Sequence, residues 1–282
     1  MSAYVVGLVL VAAALHAGWN AVAKNIPDRL AASMLIGLSY LLGGAIGLAL
    51  LPLPATGSWP YLAASAVLQT VYLILLTAAY RHGDFSQLYP LIRGLAVVQV
   101  SLVSVVVLGE RLSPIQLVGV SVVAGALIAL TFVGPAPQSG SRRGVGLAVL
   151  TAVCIAGYTL VDGQGVRQSG APLGYAAALF AVQGITLPIA CVLLATNSRR
   201  LGRELRSHWR LGLLGGTMSL IAYAIVVWAQ NQAPLALVSA LRETSVLLAG
   251  VIGWLFFREP LSPARTALTV VAVAGVVALQ LG

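Results

Sequence analysis

Charged side chains are scarce in this chain, 8% of its 282 residues, against roughly a quarter in soluble domains. So few charges cannot cover a water-facing surface, which excludes an ordinary soluble protein. Acids are scarcer still, 7 against 16 Lys and Arg. The net charge of +9 is nevertheless no nucleic-acid footprint: fourteen of the sixteen bases sit at or beside loops, where lipid head groups and topology account for them. Cys154 and Cys191 lie in apolar runs without metal-ligand spacing and read as inert buried thiols. His16, His82 and His208 are too scattered to suggest a metal centre. No HExxH, GxSxG or P-loop occurs, which argues against a membrane-embedded enzyme, and no cofactor is expected. A carbonyl-filter motif and a repeated acidic ring are also missing, which argues against a passive channel.

What the chain has instead is apolar length. It is 59% hydrophobic, with a mean hydropathy of +0.97. The apolar runs are continuous rather than alternating, so they read as helices and not as barrel strands. At about 20 residues per crossing, the runs predict ten spans, at 3–23, 30–51, 59–80, 85–108, 114–133, 145–162, 172–195, 211–231, 235–257 and 263–281. The first starts without a basic flank and reads as a retained helix rather than a signal peptide.

The second half repeats the first. Arg81 to Pro114 aligns with Gln230 to Pro263 at a constant offset of 149, placing Arg93 on Arg242, Glu110 on Glu259, and LGERLSP on FREPLSP. Gly7-Leu8, Ala17-Gly18 and Trp19 match Gly146-Leu147, Ala156-Gly157 and Tyr158 at an offset of 139. The longer loop from Thr196 to Arg210 absorbs the difference. An odd number of spans per copy makes the copies antiparallel, a recurring way to build a transporter. The expected fold is an all-α polytopic membrane protein of ten transmembrane helices, two inverted five-helix repeats around a central cavity, with halves 1–137 and 138–282.

Ser113-Pro114 and Ser262-Pro263 read as an N-cap followed by proline at the first helical position, so each starts a span after a tight turn. Small residues at spacing four, Gly43 with Gly47 and Ser121 with Gly125, allow close helix contact. Loops after odd-numbered spans carry 12 basic residues against 2 on the other side. The positive-inside rule then puts both termini outside the cytoplasm, in a cell (inner) membrane.

Two arginines remain inside spans, Arg93 and Arg242. A charge there costs at least about 2.5 kcal/mol, so it faces a partner or water. Two readings stand: cationic positions lining a cavity for a carboxylate or phosphate, or ion-paired residues fixing a helix, with Glu243 able to pair across to Arg93. His16, followed by Trp19 and Asn20, is a cavity candidate that titrates near physiological pH and could couple transport to protons. Its repeat equivalent is Ile155. Tyr72, Tyr158 and Tyr223 are mid-span; each alone reads as helix packing, and together with Trp19 and Gln99 they could make an amphipathic pocket for an organic solute. Tyr4, Trp59 and Trp209 read as interfacial belt residues. Asp162, Glu110 and Glu259 fall at span ends, where solvated roles are expected. Pro90 and Pro234 mark candidate breaks near the starts of spans four and nine.

The two five-span halves, the HAGWN stretch from His16 to Asn20 and the paired GERLSP and REPLSP hairpins make the chain resemble the drug/metabolite transporter superfamily, in its ten-span EamA-type branch. The resemblance implies a cavity formed by spans one, three, four, six, eight and nine, alternating access by rocking of the halves, and export or exchange of small metabolites, often amino acids. Within that range the arginines suit a carboxylate and the Tyr/Trp set a hydrophobic or aromatic side chain. Sugar-phosphate, nucleotide-sugar and drug carriage remain the alternatives. One chain already holds both repeats, so a monomer in the lipid bilayer is expected.

Overall fold

The computed structural model describes the backbone of residues 1–82, 85–133, 142–257 and 262–281, and their side chains except at 85, 86, 253, 254, 256 and 257. The expected boundary between the halves, at 137/138, lies outside these residues. Among the described residues eleven α-helices run in order: α1 Ala3–Lys24, α2 Arg29–Leu50, α3 Trp59–Ala79, α4 Phe85–Val106, α5 Pro114–Leu130, α6 Arg142–Ser169, α7 Pro172–Leu194, α8 Ser198–Gln232, α9 Leu235–Arg242, α10 Thr244–Phe257 and α11 Pro263–Leu281. One short 3-10 turn, Thr56–Ser58, precedes α3. Nine of the described segments are long and apolar enough to cross a membrane, α9 and the start of α10 counting as one; α5 is a shorter tenth. The protein is a multi-pass membrane protein.

The inversion is visible in which helices touch. α2 packs on α7, α5 on α11, and α4 on α9. Each of these pairs joins repeat equivalents. Among the described residues three further sets of contacts match: α1 with α8 and α3 with α6, α2 with α8 and α3 with α7, α4 with α6 and α1 with α10. Exchanging the halves maps each set onto itself. Glycines fix the direction. A methyl on Gly37 would meet Pro188, one on Gly44 the backbone of Ala177 and Ala181, and one on Gly47 Ala177. Position rises along α2 as it falls along α7, so the two run antiparallel. Likewise a methyl on Gly119 would reach 2.8 Å from both Gly275 O and a Leu279 methyl, and one on Gly275 2.9 Å from Val122. Backbones this close gain dispersion contacts that lipid cannot match. The Gly43/Gly47 pair makes such contacts, Gly43 against Leu220. Gly125 meets nothing and Ser121 bonds its own helix at Leu117 O, so that second pair packs no helix.

Two expected spans and one expected loop need correction. Span six extends to Ser169, because the polar stretch Asp162 to Gln168 finds partners on other elements and stays helical, stopping at Gly170 with φ +63. Before span eight the expected loop is helical from Ser198: Asn197 caps the Arg200 N–H at 3.0 Å, and the basic segment forms helix up to a kink at His208, after which the span itself runs to Gln232. Span nine is two helices, interrupted at Glu243. The tight turn before α5 is as expected, with Ser113 and Gln116 bonding each other's backbone in a capping box and Gly109 at φ +69. Ser262 accepts the Arg265 N–H at 3.2 Å; the rest of the second hairpin, with Glu259, lies outside the described residues.

Candidate functional site

Where α4 crosses α9, three charged side chains meet. Arg93 Nε lies 2.6 Å from Glu243 Oε2. Arg242 Nε and Nη2 each donate to Glu243 Oε1 at 3.3 Å. All three are closed off from solvent, at 4% (Arg93), 3% (Arg242) and 1% (Glu243) exposure. Glu243 closes α9 with φ −72 and ψ −8, still in the right-handed helical region, and stands next to Arg242 in the chain. This is the ion-paired arrangement that the sequence offered as one of the two readings of the arginines. Two cations face one anion, leaving a buried net charge of one plus.

That charge is incompletely satisfied. The Arg93–Glu243 approach is short but poorly angled, so Arg93 Nε and Nη2 make no hydrogen bond among the described residues. The Tyr89 ring stands 5.9 Å from the guanidinium carbon. A buried donor without an acceptor costs about 1–3 kcal/mol, more when charged. Glu243 Oε2, 2.6 Å from Arg93 Nε, is likewise outside hydrogen-bonding geometry, so this contact is a charge pairing rather than a hydrogen bond.

Around the triad the sequence-derived candidates fall into two groups. On α1, Trp19 Nε1 donates to His16 Nδ1 at 3.2 Å and Asn20 Nδ2 to His16 O at 2.7 Å. His16 is in electrostatic reach of both Arg93 and Arg242. Across the bundle, Tyr72 of α3, Tyr158 of α6 and Tyr223 of α8 form a chain of edge-on rings, with centroids 6.0 and 6.4 Å apart. Tyr158 and Tyr72 share one apolar cluster with Ile92 and Leu88 of α4. Gln99 is half-buried further along α4. The two prolines do not interrupt helices: α4 continues through Pro90, and Pro234 precedes the first turn of α9. Tyr4, Trp59 and Trp209 are exposed, as belt residues are.

Of the acids expected at solvated span ends, Asp162 is not solvated, and half-buried Glu110 is engaged by partners from the other half. Asp162 is 0% exposed inside α6. Tyr175 donates to its Oδ1 at 3.1 Å and Tyr223 to its Oδ2 at 2.6 Å. Glu110, from the α4–α5 hairpin, accepts the Leu235 N–H at 2.8 Å and pairs with Arg167 at 2.8 Å. Arg167 also donates to Gln230 O and Ala233 O, each at 3.1 Å. One half therefore supplies the cap for the short helix carrying Arg242 in the other half. Sequence reading missed both acids because their partners lie far along the chain. For Asp162 the available signal was an acid in a helix-compatible run with no base beside it.

A family model of the EamA-like transporter family matches residues 3–132 and 142–280. A solved structure described only as "Crystal structure of protein" is 16% identical with a TM-score of 0.77, covering 100% of this chain and 98% of its own. That likeness shows the fold alone. Among curated proteins none matches in sequence.

Proposed function

The chain belongs to the EamA-like transporter family, and from that premise we propose that it carries small organic solutes with a carboxylate, amino acids with hydrophobic or aromatic side chains foremost, by alternating access through the space between its halves. The observation that carries this reading is the Arg93–Glu243–Arg242 triad, two buried cations sharing one anion. Glu243 holds the place of a substrate carboxylate in the closed protein. An entering carboxylate takes the Arg93 side in the bidentate fork that arginine offers, and Glu243 keeps Arg242. Tyr72, Tyr158 and Tyr223 supply the aromatic wall. The break at Glu243 lets the α9 segment tilt without unwinding α10.

Symmetry supports the rocking motion. The halves meet along the antiparallel pairs α2–α7 and α5–α11, so rotation about them opens the centre to one face or the other. Substrate must then bind both conformers with little preference between them. With the termini outside by the positive-inside rule, the Glu110–Arg167 contact closes the non-cytoplasmic face.

The test is counterflow in proteoliposomes loaded separately with threonine, methionine, phenylalanine, a sugar phosphate and a nucleotide-sugar. Accelerated uptake with phenylalanine or methionine is the expected result. Exchange of the phosphorylated solutes alone would turn the arginines into a phosphate site and overturn the amino-acid reading.

A further inference from the structure

Three acids in the described structure, two buried and one half-buried, are tied to partners that differ in kind. Glu243 sits between two guanidinium groups, which only donate. Glu110 accepts a backbone N–H and an arginine N–H. All of these partners are fixed donors, which cannot turn round to accept from an acid hydrogen. Asp162 is held by hydroxyls: Tyr175 on Oδ1, Tyr223 on Oδ2, and Ser65 of α3 in hydrogen-bonding contact. A hydroxyl either donates or accepts by turning about its C–O bond. A tyrosine that donates to the carboxylate can accept from the carboxylic acid with its oxygen in the same place. Asp162 is thus the buried acid whose surroundings fit both protonation states.

His16 does not pass the same test. The Trp19 indole N–H can only donate, and it donates to His16 Nδ1. An imidazolium would carry its own hydrogen at that nitrogen, so this contact holds the ring neutral.

We propose that Asp162 is a reversible proton-binding site through which the carrier couples solute movement to a proton gradient; the coupling rests on the transporter reading above. The groups facing Asp162 are Tyr175 from α7, Tyr223 from α8, Ser65 from α3 and, in electrostatic reach, Arg242 from α9. On its own helix Arg167 is engaged with Glu110, and on α4 Arg93 is turned to Glu243. Tyr223 links the proton to the solute. Its ring meets Tyr158 and Phe180, with centroids 6.4 and 6.2 Å away, so a change in its hydroxyl is felt in the aromatic wall. In each cycle one proton joins the Asp162 carboxylate from water on one face and leaves to water on the other. No other reactant is needed.

Two measurements test this separately from the substrate class. Infrared difference spectra of the purified protein, titrated from neutral to acid pH, need no solute. The expected result is a carboxylic-acid C=O band that grows on acidification and is missing in Asp162→Asn. No such band in the wild type, or an equal band in the variant, overturns the proton site even if no solute is ever transported. Should Asp162→Asn fail to fold, Tyr223→Phe removes one reversible partner and is expected to move the band's midpoint by about one pH unit; an unmoved midpoint overturns the proposal. In proteoliposomes with the membrane potential clamped, a pH gradient is expected to drive phenylalanine accumulation in the wild type. In Asp162→Asn this drive falls at least about tenfold while counterflow survives. His16→Gln keeps its response to the gradient whatever its rate. Equal drive in wild type and Asp162→Asn overturns the coupling, whereas silence of the wild type with every solute overturns the transporter reading instead.

Discussion

The two halves share a scaffold and differ in chemistry. Arg93 and Arg242 are repeat equivalents, yet Arg93 sits within the unbroken α4, followed by Gly94, and Arg242 ends α9, followed by Glu243. Gly94 packs against α5, where a methyl group would press on Ile128 and Ala124 O. The position that supplies a counter-ion in one half supplies a helix contact in the other. Asp162 shows the same asymmetry, because Ala23 occupies the corresponding place in α1. Conversely His16 belongs to the first half and meets Ile155 in the second. The antiparallel contacts need symmetry to open both ways, whereas a single solute in one orientation needs a site without it. Duplication gave the bundle two arginines, and divergence beside them gave one carboxylate to share.

The largest effect should come from removing that shared carboxylate. Glu243→Ala leaves two buried guanidinium groups without an anion and is expected to cost about 3–5 kcal/mol, the range for breaking a buried ion pair. Thermal unfolding in detergent reads it, and a midpoint within error of wild type would show that the triad is already hydrated. Arg242→Ala removes the smaller share, because Glu243 keeps Arg93 at 2.6 Å.

Next is the cap that one half lends the other. Glu110→Gln loses charge on both the Leu235 N–H and Arg167 and should lower stability by about 1–2 kcal/mol, as lost caps do. Arg167→Ala should give a similar loss, and the double variant should fall well short of the sum, because the two residues share one contact. Full additivity would mean that they act separately.

The smallest contrast lies in the glycines. Gly44→Ala drives a methyl into the α7 backbone between Ala177 and Ala181 and should destabilise by about 1–3 kcal/mol. Gly125→Ala meets open space and should be neutral or stabilising by up to about 1 kcal/mol. Equal shifts in melting temperature would remove the α2–α7 contact as the hinge of the two halves.

How much of this was legible in the sequence depended on the range of the forces involved. The repeat was readable because an offset of 149 aligns Arg93 with Arg242 and one serine-proline start with the other. The N-cap at Ser113 was readable because capping acts within a turn. Arg93, Arg242 and Glu243 stood out because bilayers make charge expensive. Asp162 and Glu110 were misplaced for the opposite reason: their partners Tyr223 and Leu235 lie 61 and 125 residues away. The interruption at Glu243 carries neither proline nor glycine, so no local residue announced it. The basic start of α8 was read as a loop from its charges, although Leu, Arg and Glu are sound helix formers and Asn197 caps it.

The central claim is that the two equivalent arginines, sharing one carboxylate, receive the solute's own. Counterflow by the wild type, Arg93→Ala and Arg242→Ala in matched proteoliposomes, with insertion and folding of each confirmed, tests it most directly. The account predicts wild-type exchange and a loss of at least about tenfold in each variant, as expected when one charged contact to the solute is removed. Exchange at the wild-type rate by both variants would contradict it.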